Sequence, residues 1–222
     1  MEGQPQVVVR GEAVLTVPPE VAELGVTVRV SARDRQTAIE RCGARSAEVT
    51  RVIAAAGDAV ETADTAAVSV HLERYDQGPG VPVAIVRTRL VLGRPEATGP
   101  LLVALGELDD VMVDGPSWQL RPGSSAPEEA RLAAIDDAVR RARLYAGAFG
   151  AEITELIEIA DAGLSRAGRA GRAGLMDEAT GVLAALEPSG LGLELTPQQL
   201  RVHGSVEVRF ATSVPDPEVF RR

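Results

Sequence analysis

The chain has 222 residues, 45% hydrophobic and 25% charged, which is the composition of a folded protein with a real core, built as one large domain or two small intertwined ones. Its formal charge of −9 makes binding to nucleic-acid backbones or anionic lipid unfavourable over most of the surface, so nucleic acid is not an expected partner. All 23 strongly basic side chains are arginines, and a chain without lysine has no Schiff-base lysine, P-loop lysine or Ser-Lys dyad.

Val7 to Thr16 and Val21 to Ser31 are valine-rich strands separated by Pro18-Pro19-Glu20, and the pair reads as a hairpin. In the second, Leu24, Val26, Val28 and Val30 alternate with Thr27 and Arg29. From Asp34 the period becomes helical: Ala38, Cys42, Val49, Ile53 and Ala56 share a face, Asp34 caps the start and Gly57 stops the helix. Strands near Ala66 to Arg74 and Pro82 to Leu92 follow, joined by a turn holding Asp76, Gly78, Pro79 and Gly80. A short helix near Glu96 to Gly106 and a strand from Val111 to Leu120, with the single tryptophan Trp118, complete this half.

A long helix then begins at Ser125 or Ala126, with Pro127 in its first turn and Gly150 at its end. Leu132, Ile135, Val139, Ala142, Ala146 and Phe149 repeat every three or four residues and are expected to pack. The pairs Asp136 to Arg140 and Asp137 to Arg141 are expected on the wet face. Strands from about Glu152 to Ala160 and Arg201 to Ala211 follow, the last with Val202, Val206, Val208 and Phe210 on one face. Between them runs a low-complexity stretch with Arg166, Arg169 and Arg172 each followed by Ala-Gly, a composition that discourages helix; Asp177 to Leu186 is a candidate short helix. Pro215 to Arg222 reads as an unstructured end.

The fold class is therefore α+β, in the order strand, strand, helix, strand, strand, helix, strand, helix, strand, strand, with antiparallel or mixed sheets and helices packed on one face. One domain is expected over residues 6–212, with a flexible loop at about 163–198 and a tail at 213–222. The N-terminal run Met1-Glu2-Gly3-Gln4-Pro5-Gln6 has neither the basic end nor the apolar stretch of a signal peptide, and no run suits a membrane span, so a cytoplasmic location is expected. One cysteine, Cys42, excludes an intramolecular disulfide.

This order resembles the SIMPL-domain family. Val9-Arg10-Gly11-Glu12-Ala13 and Pro18-Pro19-Glu20-Val21-Ala22 are similar to the family's opening strand and Pro-Asp-x-Ala turn, although Ala13 and Glu20 depart from the commoner Gly and Asp. Gly57, then Thr62 or Thr65, then Tyr75-Asp76 match its middle. Glu129-Ala130-Arg131, Asp136-Asp137-Ala138, Arg140-Arg141-Ala142, Ala146 and Gly150 match its third helix. The resemblance covers residues 6–212 and implies a mostly bacterial envelope or secreted protein of poorly defined activity, a location that stands against the cytoplasmic one expected from the N-terminal run. These motifs specify packing and identify no reaction.

Candidate chemistry is thin. His71, beside Ser69 and Glu73, and His203, beside Ser205, stand on polar strand faces, where a lone histidine is ordinarily solvated; no Gly-x-Ser-x-Gly elbow supports either serine. Asp109, Asp110 and Asp114 cluster as a hard cation would require, yet without the spacing of an EF-hand loop. Cys42 reads as a core residue. The sequence thus nominates no catalytic residue, no cofactor-binding residue and no metal ligand, and one possible partner-binding set, Arg166, Arg169 and Arg172, suited to an acidic protein. The expectation is a non-catalytic, homo-oligomeric binding or scaffold protein; the alternative is a ligand binder or enzyme with a pocket between sheet and helices, anchored by His71, His203 or the Asp109 cluster.

Overall fold

A computed structural model describes residues 4–74, 80–162, 164 and 195–221. Its elements are β1 (Gln6–Val17), β2 (Val21–Ser31), α1 (Arg35–Ala55), β3 (Val60–Glu73), β4 (Val81–Leu92), α2 (Thr98–Gly106), β5 (Val111–Gln119), α3 (Ala126–Ala148), β6 (Ile153–Asp161) and β7 (Leu200–Thr212). The class is α+β, with the expected element order. The elements divide between two compact units: β1, α3, β6 and β7 in one, β2 to β5 with α1 and α2 in the other.

The expected hairpin of β1 and β2 does not form. β1 lies in a three-stranded sheet of order β1-β7-β6, while β2 pairs antiparallel with β4 and β5 in a four-stranded sheet of order β3-β4-β2-β5. Two consecutive prolines hold the chain extended, where a tight hairpin needs a reversing turn. Glu20 N–H donates at once to Gln119 O, at 3.0 Å, so the chain enters the second sheet without folding back.

In the β2–β5 unit, Leu24, Val26, Val28 and Val30 pack with Leu90, Leu92, Leu101 and Leu105 and with the α1 face of Ala38, Cys42, Val49 and Ile53. Asp34 caps α1 by accepting from Thr37 N–H at 2.8 Å, and Gly57, with φ of 60°, turns the chain out of the helix. β3 begins six residues before the expected Ala66 and continues the antiparallel ladder with β4.

In the other unit the packing face of α3 is Ala130, Ala134, Ala138, Ala142 and Ala146, all buried, against Val9, Val206, Val208 and Phe210. Leu132 and Phe149, expected in that face, are 55% and 48% exposed. The reason is close approach: a Cβ on Gly11 would overlap Ala134 O and lie 2.7 Å from Ala138 Cβ, and one on Gly204 would overlap the Ala130 carbonyl. Only alanine on the helix above glycine on the strands permits that spacing. The tail is structured as well. Asp216 N–H donates to Phe149 O at 2.9 Å, a short 3-10 helix spans Pro217–Arg221, and the Phe220 ring stacks on Phe149.

Candidate functional site

His71 lies exposed on β3 and His203 exposed on β7. Asp109 and Asp110, in the turn between α2 and β5, each stand 3.8 Å from an arginine of α1, Arg45 and Arg41 respectively, and Asp114 is exposed on β5. Among the described residues, no three His, Cys, Asp or Glu side chains come together to hold a metal ion. Cys42 is buried in the core, and burial pushes its thiol above the ordinary range. Arg166, Arg169 and Arg172 lie outside the described residues.

The charged groups that do converge are paired with one another. On the solvent face of the four-stranded sheet, Arg89 of β4 forks onto both carboxylate oxygens of Glu23 of β2 at 2.6 Å, and Gln119 of β5 adds a bond at 3.2 Å. The Arg89 hydrogen bonds hold the Glu23 carboxyl below the usual carboxylate range. Arg121 grips Glu61 of β3 in the same two-pronged way, at 2.7 and 2.6 Å, and lowers that carboxyl too. Each clamp holds its carboxylate on a forked guanidinium, Glu23 between β2 and β4 and Glu61 between β3 and the segment after β5.

Sequence reasoning missed Asp137. Expected on the wet face of α3, it is buried, accepts from Glu12 N–H of β1 at 3.0 Å, and pairs with Arg140 and with Arg141, the latter at 2.9 Å. Arg141 in turn donates to Arg10 O at 3.1 Å. The Asp-to-Arg spacing was visible in the sequence, but its backbone partner was not.

The surface that stands out is the free edge of β3. Beyond it no described strand pairs, and most of its residues are exposed on both faces. Ala32 N–H donates to Pro82 O and Gly93 N–H to Ala59 O, so even-numbered residues of β4 turn their backbone groups to β2 and odd-numbered ones to β3. Ser69 and His71, opposite Ile85 and Val83, therefore bond into the sheet, and Val68, Val70 and Leu72 direct their N–H and C=O groups outward. Arg35 reaches Val70 O from that side, at 3.5 Å. Val70 packs against the core, while its neighbours Val68 and Leu72 are 66% and 62% exposed on the same face. Residues 65–72 carry no Asp, Glu or Arg. In the other unit β6 is also a sheet edge, with Leu156 and Ile159 half exposed.

No described helix is long and apolar enough to cross a membrane. A comparison with curated proteins finds no match. The model of the SIMPL family, a protein of unknown function (DUF541), matches residues 7–210, nearly the whole chain. The glycine, proline and acid-Ala-Arg motifs of β1 and α3 fall within that match, and the chain belongs to the SIMPL family.

Proposed function

We propose that the chain is a non-catalytic binding or scaffold protein that assembles with copies of itself through open strand edges. The observation that carries this is the edge of β3, where outward backbone groups, two exposed aliphatic side chains and an uncharged stretch coincide. Natural edges are ordinarily blunted by lysine, proline or inward charge, and this stretch has none of these. β6, the edge of the other sheet, adds half-exposed Leu156 and Ile159. The exposure of His71 and of His203, and the arginines beside Asp109 and Asp110, fit this reading.

Size-exclusion chromatography with light scattering is the test. At micromolar concentration the mass exceeds the 23.3 kDa of one chain, and it stays so when Arg166 to Gly174 is deleted, because the contact lies on β3. A strict monomer overturns the reading and directs the search to ligand screens. An assembly that dissolves on the deletion moves the interface to the arginine stretch.

A further inference from the structure

We infer that two copies of this chain join by antiparallel pairing of β3 with β3 about a two-fold axis at Val70; this rests on the self-association proposed above and specifies its geometry. A two-fold perpendicular to an antiparallel ladder passes through one residue, which faces its own copy. With Val70 on the axis, each Val68 stands opposite the other copy's Leu72, so the two exposed aliphatic side chains of β3 cover each other. Ser69 stands opposite His71 and offers it a hydrogen-bonding hydroxyl, and Ala67 stands opposite Glu73.

Neighbouring registers are worse. An axis at Val68 sets Leu72 against Asp64, and one at Ser69 sets it against Ala66, the residue that interrupts the β3–β4 register. An axis at His71 stacks the two imidazoles and sets Val68 against Arg74. Only the Val70 register sets the two exposed aliphatic side chains, Val68 and Leu72, against each other, and it places no carboxylate opposite another over the regular ladder from Ala67 to Glu73. Charge selects this edge as well: copies with a formal charge of −9 repel, and residues 65–72 are an uncharged strip on which they can approach.

Because Val68, Val70 and Leu72 direct their backbone groups outward, they form the hydrogen-bonded pairs of the joined sheet, and Ser69 opposite His71 forms a non-hydrogen-bonded pair. In such a pair Cα atoms approach to about 4.5 Å, within disulfide range. The double variant Ser69→Cys, His71→Cys therefore oxidises to a covalent dimer, read as doubled mass on a non-reducing gel. The control Ala67→Cys, His71→Cys, whose cysteines meet no partner cysteine in this register, does not. Val70→Pro removes an outward N–H from each copy without touching the β3–β4 ladder, so it keeps the wild-type circular dichroism and raises the dissociation constant on the order of tenfold or more.

A wild-type chain that is monomeric by light scattering overturns both this interface and the proposed function. A wild-type chain that assembles while Ser69→Cys, His71→Cys fails to cross-link overturns the β3 interface alone, and so does equal assembly by Val70→Pro. If Val70→Pro fails to fold, the cross-linking pair decides.

Discussion

Asp137 shows how much one side chain can hold. Its carboxylate gathers the Glu12 N–H and two guanidinium groups at the seam of α3 and β1, and truncation would remove all three charge-assisted contacts at once. Asp137→Ala is expected to lower stability by about 2 kcal/mol in urea unfolding, the scale of a lost hydrogen bond to a charged group, whereas Asp136→Ala, at an exposed position, changes it little. Glu23 adds a pH dependence. Its folded carboxyl sits below the unfolded value, so its contribution is complete above the ordinary carboxylate range and is lost as pH falls through the folded value. Acid unfolding of Glu23→Gln followed by fluorescence should therefore show a shallower loss of stability below about pH 4 than wild type. An unchanged slope would remove the Glu23–Arg89 clamp from the account.

At the scale of elements, α3 is held by a stripe of alanines lying over Gly11 and Gly204. Gly11→Ala forces helix and strand apart and is expected to cost about 1–3 kcal/mol, as overpacking does. Gly43→Ala on the exposed face of α1, with nothing within 4 Å of the new methyl, should stabilise by about 0.5–1 kcal/mol. Differential scanning calorimetry distinguishes the two by opposite shifts in Tm. Local signals carried most elements: the cap Asp34, the α1 face with Cys42 and the alternation of Leu24 to Val30 are short-range patterns and stand where they were expected. The α3 face misled because Leu132 and Phe149 share the helical period with the alanines. The deciding contacts, Gly11 and Gly204, come from strands far away in sequence.

At the scale of the whole molecule, sequence separation limits what could be read. The sheet partners of β1 and β2 lie far along the chain, so their adjacency in sequence suggested a hairpin that two prolines and distant strands prevent. The edge of β3 was equally hidden. Val68, Val70 and Leu72 look like any half-buried strand until Val70 is seen to pack on the core while its neighbours stay bare. The two histidines and the aspartate cluster were visible as residue types, and only the fold could show the histidines exposed and Asp109 and Asp110 beside arginines of α1. The measurement that tests the account most directly is the light-scattering mass of the full chain over a micromolar concentration series, with Val70→Pro beside it. Pairing through β3 gives a mass above 23.3 kDa for wild type that rises with concentration, with the rise displaced to higher concentration in Val70→Pro. A wild-type mass of one chain throughout would contradict it.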